Sequence, residues 1–428
     1  MKKLLFIIIA FLFLVSVKAQ TRWVGGDISM FQEYQAAGSQ YHDENGNPIS
    51  LLPYLHELGM NAMRVRLFVD PAEYTIEDGK KKPDSNVCQS LPYIIPLCQD
   101  IIANGLELML DFHYSDTWAD PGKQYIPDAW KDLTDEQLKV KIYDYTKESL
   151  QTLKENGITP KFIQPGNEIS YGMLWVPFGK EDDNSNHVWD GSSEASWTRF
   201  GDLLKGTIRA CREVCPESEI IIHTERVAQV GVLTNFYDRM KSLEIDYDII
   251  GLSYYPYFHG NMAVLNNALT ALEARYPEKP IMIVETGFPY AWAVPGSSPD
   301  YDHDYTLADQ NAYAHELVDT LLEHPSVNGL FWWWLEYNAY GSKLSGWYNA
   351  PLFDSRTGNA TPALKTIASF SSASAGINDP SSPIFGVTSP NEGGEEEGPW
   401  YDLSGRAVAN PSLPGIYIHN GRKIIVSP

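Results

Sequence analysis

QPGNE at residues 164–168 and IMIVET at residues 281–286 decide the fold of this chain. Each stretch belongs to an apolar run that predicts a strand buried on both faces, and each run delivers a glutamate near its end. A (β/α)8 barrel carries its catalytic groups at the carboxyl ends of its strands, so Glu168 and Glu285 are predicted to meet at one rim. Two such carboxylates predict cleavage of a glycosidic bond, because one must protonate the leaving oxygen while the other attacks the sugar or activates water.

Eight strand-like apolar runs occur in the chain, and helical patterns separate them. The predicted strands are 23–29, 62–69, 106–115, 162–169, 220–225, 248–256, 280–288 and 329–336. The predicted helices are 50–58, 91–103, 135–155, 194–214, 232–243, 262–275 and 307–322. This alternation predicts an α/β fold with one closed parallel sheet, the (β/α)8 TIM barrel, rather than two open sheets.

Composition predicts three further segments outside a barrel that occupies residues 20–371. Residues 1–19 have the charged start, the apolar run and the small-residue end of a secretory signal, which predicts a periplasmic, cell-surface or extracellular protein. Residues 372–399 are rich in Ser, Gly, Pro and Glu and predict a linker. Residues 400–428 alternate apolar and polar side chains around Asn420-Gly421, which predicts a small β-hairpin tail.

The chain is strongly acidic, with a formal net charge of −23. Removal of the signal takes away three lysines and no acid, which brings the charge to −26. Such a surface repels nucleic acid and anionic lipid but is compatible with an uncharged polysaccharide. No stretch after the signal reaches the apolar length of a membrane span. We expect a monomer.

The four cysteines leave two interpretations open. In an oxidising compartment Cys88, Cys98, Cys211 and Cys215 can form up to two bridges, in three possible pairings. Cys211 and Cys215 lie on a predicted amphipathic helix with no second pair nearby, so the spacing does not indicate zinc. Free buried thiols fit the sequence equally well.

Six motifs fall at the predicted strand ends: GGDIS at 25–29, RVRL at 64–67, LDFHYSDTWADPGKQ at 110–124, GNEI at 166–169, GLSYYP at 251–256 and VET at 284–286. With them, residues 23–370 resemble glycoside hydrolase family 53, the arabinogalactan endo-β-1,4-galactanases of clan A. The run at 110–124 is too long and particular to recur by chance. One departure is GMLWVP at 172–177, where Val176 is inserted relative to the usual Leu-Trp-Pro.

The resemblance implies a secreted enzyme that cleaves internal β-1,4-galactosidic bonds of galactan with retention. Glu168 is then the acid/base, which must hold a proton near neutral pH and therefore needs a raised pKa. Glu285 is the nucleophile and must stay ionised.

Further site residues are implied by the same resemblance. Tyr254 or Tyr255 is expected to donate a hydrogen bond to the nucleophile, with Arg64 or Arg66 as a second donor. Asn167 is expected to hold the sugar 2-hydroxyl, through a bond that strengthens in the transition state.

Asp111, His113 and His223 also lie at strand ends, where we expect them to bind sugar or orient the glutamates. The two histidines could instead hold a metal, but no third ligand has suitable spacing. Aromatic side chains at or beside the rim are candidates to stack on sugar rings. These are Trp118, Trp175, Trp292, Trp333, Trp334 and Trp347. Trp334 is the expected platform beneath the bond that is cleaved, by its resemblance to the eighth-strand tryptophan of the clan.

Asp300, Asp302 and Asp304 alternate in the loop after the seventh predicted strand and are candidate calcium ligands. The loop is not an EF-hand, because it has no glycine at the sixth position and Asn311 replaces the glutamate at the twelfth. A solvated acidic loop is the favoured interpretation, so we expect no required cofactor and leave structural calcium as the alternative.

Two other functions remain compatible with the sequence. Another clan A specificity, such as mannanase or cellulase, would use the same catalytic residues. A non-catalytic glycan-binding barrel is a different class of protein, but a pure binder has no physical need for Asn167, Glu168 and Glu285 together.

Overall fold

The computed structural model describes residues 21–292, 303–337 and 350–372, together with four short strands between residues 400 and 426. Several predicted features lie outside the described residues: the signal, nearly all of the linker, Asp300, Asp302 and Trp347. The chain divides between Ala375 and Gly376 into two compact units.

Eight parallel strands form the barrel of the first unit, which confirms the predicted fold class. They are β1 (Trp23–Gly26), β2 (Ala62–Leu67), β3 (Glu107–Phe112), β4 (Phe162–Pro165), β5 (Glu219–Thr224), β6 (Ile249–Tyr254), β7 (Ile281–Thr286) and β8 (Val327–Trp332). Hydrogen bonding runs in the order β1, β8, β7, β6, β5, β4, β3, β2. Consecutive strands are therefore neighbours, as right-handed βαβ units require.

The barrel closes between β1 and β2 through a short contact rather than a full ladder. The N–H of Asn61 donates to the carbonyl of Val24 at 2.9 Å, and the N–H of Ile28 donates to the carbonyl of Arg64 at 3.1 Å. Gly25 lies between these bonds, and a Cβ placed on it would come within 1.6 Å of the Ala62 carbonyl oxygen. The absence of a side chain at residue 25 is thus a condition for closure.

One helix follows each strand on the outside of the barrel. The helices are α1 (Leu51–Glu57), α2 (Leu91–Ala103), α3 (Asp135–Glu155), α4 (Glu194–Val214), α5 (Val230–Ser242), α6 (Met262–Arg275), α7 (Leu307–Leu322) and α8 (Pro362–Ala368). The sequence analysis did not predict α8, which follows the last predicted strand. Two shorter helices, Phe31–Ala36 and Pro256–His259, and a hairpin of strands Tyr74–Glu77 and Lys80–Pro83 lie in the connections.

Apolar side chains fill the barrel interior and the space between the strands and the helices. Each strand is buried on both faces, which is why its sequence is a continuous apolar run. An inner cluster occupies the barrel interior, and a larger cluster packs the strands against the helices. The inner cluster consists of Ala62, Met109, Phe162, Ile221, Ile249, Met282, Val284 and Phe331. None of the helices within the described residues combines the length and apolarity that crossing a membrane requires.

The second unit contains four short antiparallel strands: Trp400–Asp402, Ala407–Val408, Gly415–His419 and Arg422–Val426. The last two strands pair from His419 with Arg422 to Gly415 with Val426, as expected for a hairpin around residues 420 and 421. Trp400–Asp402 pairs with both Ala407–Val408 and Gly415–His419, so the sheet is larger than the predicted hairpin.

We predict that Gly25→Ala destabilises the barrel by about 1–3 kcal/mol, because the new methyl must displace the backbone of Ala62. Urea denaturation should show a lower midpoint with an unchanged slope. Gly231→Ala is the matched control, since Gly231 lies in α5 with no described atom within 4 Å of the added Cβ. It should be neutral or slightly stabilising. Equal effects of the two substitutions would contradict the role assigned to Gly25.

Candidate active site

The carboxyl ends of the barrel strands surround a cleft of about 630 Å³. Both predicted glutamates line it, together with Asn167, His113 and Tyr255. Since the sequence separates these residues by up to 172 positions, the closed barrel is what brings them together. The cleft wall also includes an aromatic side formed by Trp118, Trp333 and Trp334.

Glu168 lies in a turn just beyond β4, not within the longer strand that the apolar run predicted. The strand ends at Pro165, Gly166 follows with φ 116°, and Glu168 itself adopts the left-handed conformation with φ 47°. Such a conformation is uncommon for a residue with a side chain and is often found where function fixes the backbone. Here this backbone conformation places Glu168 in the wall of the cleft.

The surroundings of Glu168 favour its protonated form. Desolvation of the half-buried carboxyl raises its pKa well above the ordinary value, and the negative charges of Glu285 and Glu225 raise it further. The hydroxyl of Ser253 donates to Glu168 Oε1 at 2.6 Å and opposes that shift.

Glu285 is at the end of β7, where its carboxyl group has an ion-pair partner and a hydrogen-bond donor. Arg64 Nη2 lies 2.8 Å from Glu285 Oε1, and the Tyr255 hydroxyl donates to Glu285 Oε2 at 3.0 Å. Burial raises the pKa of Glu285 to about 7, while Arg64 and Tyr255 hold it down against that effect. Of the two glutamates, Glu285 is therefore the one that ionises first.

Arg64 lies on β2 and has no exposed surface. In addition to the ion pair with Glu285, its Nη2 forms hydrogen bonds as a donor to Asp111 Oδ2 at 2.8 Å and to Asn167 Oδ1 at 3.0 Å. Burial alone would raise the pKa of Asp111, but Arg64 and His113 bring it below its ordinary value. Arg64 thus neutralises the carboxylate of Asp111 and also contacts that of Glu285.

The structure distinguishes the residues of the two pairs that the sequence left open. Arg66 forms an ion pair with Asp27 at 2.7 Å and lies 5.0 Å from the centre of the Trp334 ring, away from Glu285. The hydroxyl of Tyr254 donates to the carbonyl of Gly260 at 3.0 Å. Arg64 and Tyr255, rather than Arg66 and Tyr254, contact Glu285.

His113 and His223 have different positions around the site. His113 lines the cleft, accepts the N–H of Ala119 at Nδ1, and brings Nε2 to 3.1 Å from Asp111 Oδ2. His223 is fully buried behind Glu168, and burial followed by the charge of Arg64 lowers its pKa well below the ordinary value. Across the described residues, no group of three or more His, Cys, Asp or Glu side chains is arranged to hold a metal.

The predicted tryptophans separate into two groups. Trp118, Trp333 and Trp334 form the aromatic side of the cleft, with the rings of Trp118 and Trp334 centred 6.0 Å apart. Trp175 is buried and stacks on His187 at 3.7 Å, so its ring already has a partner within the protein. Trp292 is 55% exposed and is not among the described residues that line the cleft.

Sequence reasoning missed Gln164, Glu225 and Ser253. Glu225 lines the cleft at the end of β5, and its position at the end of a predicted strand is the same signal that identified Glu168. Gln164 and Ser253 are fully buried polar residues inside β4 and β6. A polar residue within a continuous apolar run was the signal that could have found them.

Of the three candidate calcium ligands in the acidic loop, the structure describes Asp304. Its neighbour His303 has Nε2 at 3.2 Å from Glu316 Oε2.

All four cysteines are free thiols, three of them buried and Cys88 partly exposed.

A (β/α)8 barrel with two glutamates in one cleft, just beyond β4 and at the end of β7, has the arrangement of a glycoside hydrolase. Residues 23–367 match the family model of glycosyl hydrolase family 53, and the chain belongs to that family.

Three similar proteins illustrate the relationship. An uncharacterised protein from the region upstream of bgaB in Niallia circulans is 32% identical over 85% of this chain and 96% of its own. The arabinogalactan endo-β-1,4-galactanase of Cellvibrio japonicus is 30% identical over 80% of this chain and 89% of its own. The solved family 53 catalytic domain of Ignisphaera aggregans superposes with a TM-score of 0.68 at 31% identity, covering 82% of this chain and 97% of that one.

We predict that Tyr255→Phe lowers kcat/KM by about tenfold to hundredfold, the usual value of a hydrogen bond to a charged group. Because the Tyr255 hydroxyl lowers the pKa of Glu285, its loss should also move the acid limb of the pH profile to higher pH. Tyr254→Phe removes a phenol that points elsewhere and serves as the matched control. An unmoved acid limb in Tyr255→Phe, or the same shift in both variants, would count against the assignment.

Proposed function

We propose that the protein is an exported endo-β-1,4-galactanase that cleaves galactan and type I arabinogalactan, with Glu168 as acid/base and Glu285 as nucleophile. The unequal surroundings of the two glutamates carry this assignment of roles. Glu285 has a guanidinium and a phenol at its two oxygens, which favours the carboxylate. Glu168 is affected by the negative charges of Glu285, Glu225 and Asp120 and accepts from the neutral hydroxyl of Ser253, which together favour the acid.

The first half of the reaction uses both groups in these states. The Glu285 carboxylate attacks the anomeric carbon of the galactosyl unit, and the bond from that carbon to the glycosidic oxygen breaks. Glu168 gives its proton to the departing oxygen, which leaves as the hydroxyl of the released chain. The product is a galactosyl ester of Glu285, and Glu168 is left as a carboxylate.

The second half follows from the electrostatic coupling of the pair. Once Glu285 is an ester its negative charge is gone, so one of the causes that raised the pKa of Glu168 disappears. Glu168 then acts as a base and removes a proton from water, whose oxygen attacks the anomeric carbon and frees Glu285. Two inversions give overall retention.

The cleft itself is suited to an uncharged sugar chain. Its wall combines the indole rings of Trp118, Trp333 and Trp334 with polar groups such as Asn167 and Glu225. Aromatic faces beside a few hydrogen-bonding groups are what pyranose rings need for binding. The net charge of −23 repels anionic polymers but not galactan.

The galactanase names belong to relatives such as the Cellvibrio japonicus enzyme, and they support galactan over mannan or cellulose as the substrate.

The proposal also includes action as a monomer without a required cofactor. Every step above uses side chains of the chain itself, so EDTA should leave the rate on galactan unchanged. A loss of rate or of melting temperature that calcium restores would instead favour a calcium site that includes Asp304.

Products and variants test this function together. Linear β-1,4-galactan should be cleaved in preference to mannan and carboxymethyl cellulose, and proton NMR should show the β-anomer first. Glu285→Gln should abolish turnover on every substrate, because no ester can form. Glu168→Ala should lose galactan cleavage but retain reaction with dinitrophenyl galactosides, and azide should accelerate that reaction. An α-anomer as first product, or substantial activity in Glu285→Gln, would overturn the mechanism.

A further inference from the structure

Ser253 is a fully buried residue of β6 that the mechanism above leaves without a function. Its hydroxyl oxygen lies 2.6 Å from Glu168 Oε1 and 2.8 Å from His223 Nε2. The other nitrogen of the same imidazole, Nδ1, lies 3.3 Å from the backbone nitrogen of Glu168. His223 therefore reaches Glu168 twice, directly at the main chain and through Ser253 at the carboxyl group.

We propose that His223 and Ser253 form a clamp that holds the catalytic proton of Glu168 on Oε2, which makes Ser253 a positioning residue of the acid/base step. This inference rests on the proposed role of Glu168. The clamp is the closed set of three contacts just described: Glu168 N–H to His223 Nδ1, His223 Nε2 to Ser253 Oγ, and Ser253 Oγ to Glu168 Oε1.

The direction of each hydrogen bond follows from the groups around His223 Nδ1. The N–H of Glu168 points at this nitrogen, and Gln164 Nε2 lies 2.9 Å from it while also donating to Asp111 Oδ1 at 2.7 Å. Two donors at Nδ1 require an unprotonated nitrogen. Asn167 Oδ1 is 3.1 Å from the same atom, but its two lone pairs already have donors in Arg64 Nη2 at 3.0 Å and Gln164 Nε2 at 3.4 Å.

A neutral His223 with an unprotonated Nδ1 carries its hydrogen on Nε2. Burial and the positive charge of Arg64 both disfavour a second proton on the ring, against the smaller opposing effect of Asp111. Nε2–H therefore donates to Ser253 Oγ, and the single hydrogen of Ser253 must go to Glu168 Oε1. Because Oε1 is then occupied as an acceptor, the acidic hydrogen of Glu168 belongs on Oε2.

The clamp also opposes the rise in the pKa of Glu168 that the surrounding negative charges cause. The carboxylates of Glu285 on β7, Glu225 after β5 and Asp120 after β3 raise its pKa, and the Ser253 hydrogen bond lowers it. Tyr255, which follows β6, also interacts electrostatically with Glu168. Loss of the Ser253 hydroxyl should thus raise the pKa of Glu168 and leave the carboxyl group free to rotate.

Ser253→Ala tests the clamp through pH profiles of kcat/KM on two substrates. On galactan, kcat/KM should fall by about tenfold, because the lost hydrogen bond orients the Glu168 acid and stabilises the negative charge that forms as its proton leaves. The alkaline limb should move to higher pH, because Glu168 stays protonated longer. On a dinitrophenyl galactoside, which needs no acid for its departure, kcat/KM should stay within about twofold of the original enzyme.

Thr224→Val is the matched control, since Thr224 is also a fully buried hydroxyl at a strand end but faces Tyr237 instead. It should leave the alkaline limb in place on both substrates. Glu168→Gln, measured in parallel, separates the two hypotheses: if it keeps its galactan activity, the role of Glu168 itself is wrong. If Glu168→Gln loses that activity while Ser253→Ala keeps an unmoved alkaline limb, the clamp alone is wrong.

Nitrogen-15 NMR of histidine-labelled enzyme provides a test that needs no variant at position 253. The resonances of His223 should be those of a neutral ring with the proton on Nε2 across the range of activity. A ring protonated at Nδ1, or doubly protonated at the pH optimum, would refute the clamp even if Ser253→Ala failed to fold.

Discussion

The buried positive charge of Arg64 is the interaction on which the rest of the structure depends. A guanidinium with no exposed surface costs several kcal/mol in desolvation unless anions surround it, and here Asp27, Asp111 and Glu285 do so. These carboxylates come from three different strands or strand ends, and the backbone carbonyl of Arg64 accepts one of the bonds that close the barrel. The closure of the fold and the ionisation of Glu285, the proposed nucleophile, therefore share one residue.

The same arrangement explains how two glutamates that line one cleft come to favour different states. Among the described residues, Arg64 forms an ion pair with Glu285, while the charges that act most on Glu168 are those of carboxylates. A cation beside only one of the two glutamates thus favours the carboxylate there and leaves the acid form favoured at the other. The symmetry of the barrel does not provide that difference, because each strand end is geometrically equivalent to the others.

Sequence reasoning predicted the strands well and the contacts between them less well. The strands were predictable because burial on both faces makes each one a continuous apolar run, and their carboxyl ends identified Glu168 and Glu285. The choice between Tyr254 and Tyr255 depends on the direction of each side chain where β6 ends, and two adjacent tyrosines carry no pattern that decides it. A polar residue within an apolar run singles out Ser253, but its contacts with His223 and Glu168 join different strands and are seen only in the structure.

The pairing of β1 with β8 has a consequence for how the enzyme comes into being. These strands come from opposite ends of the barrel sequence. A hydrogen bond from Met30 N–H to Glu336 Oε1 also joins the segments that follow these two strands. A chain emerging from the ribosome therefore has no partner for β1 on that side until nearly the whole domain has been made. Until then, the inner faces of its strands lack part of their cover and are open to aggregation. We therefore expect stable folding of the barrel to follow, rather than accompany, synthesis of the domain.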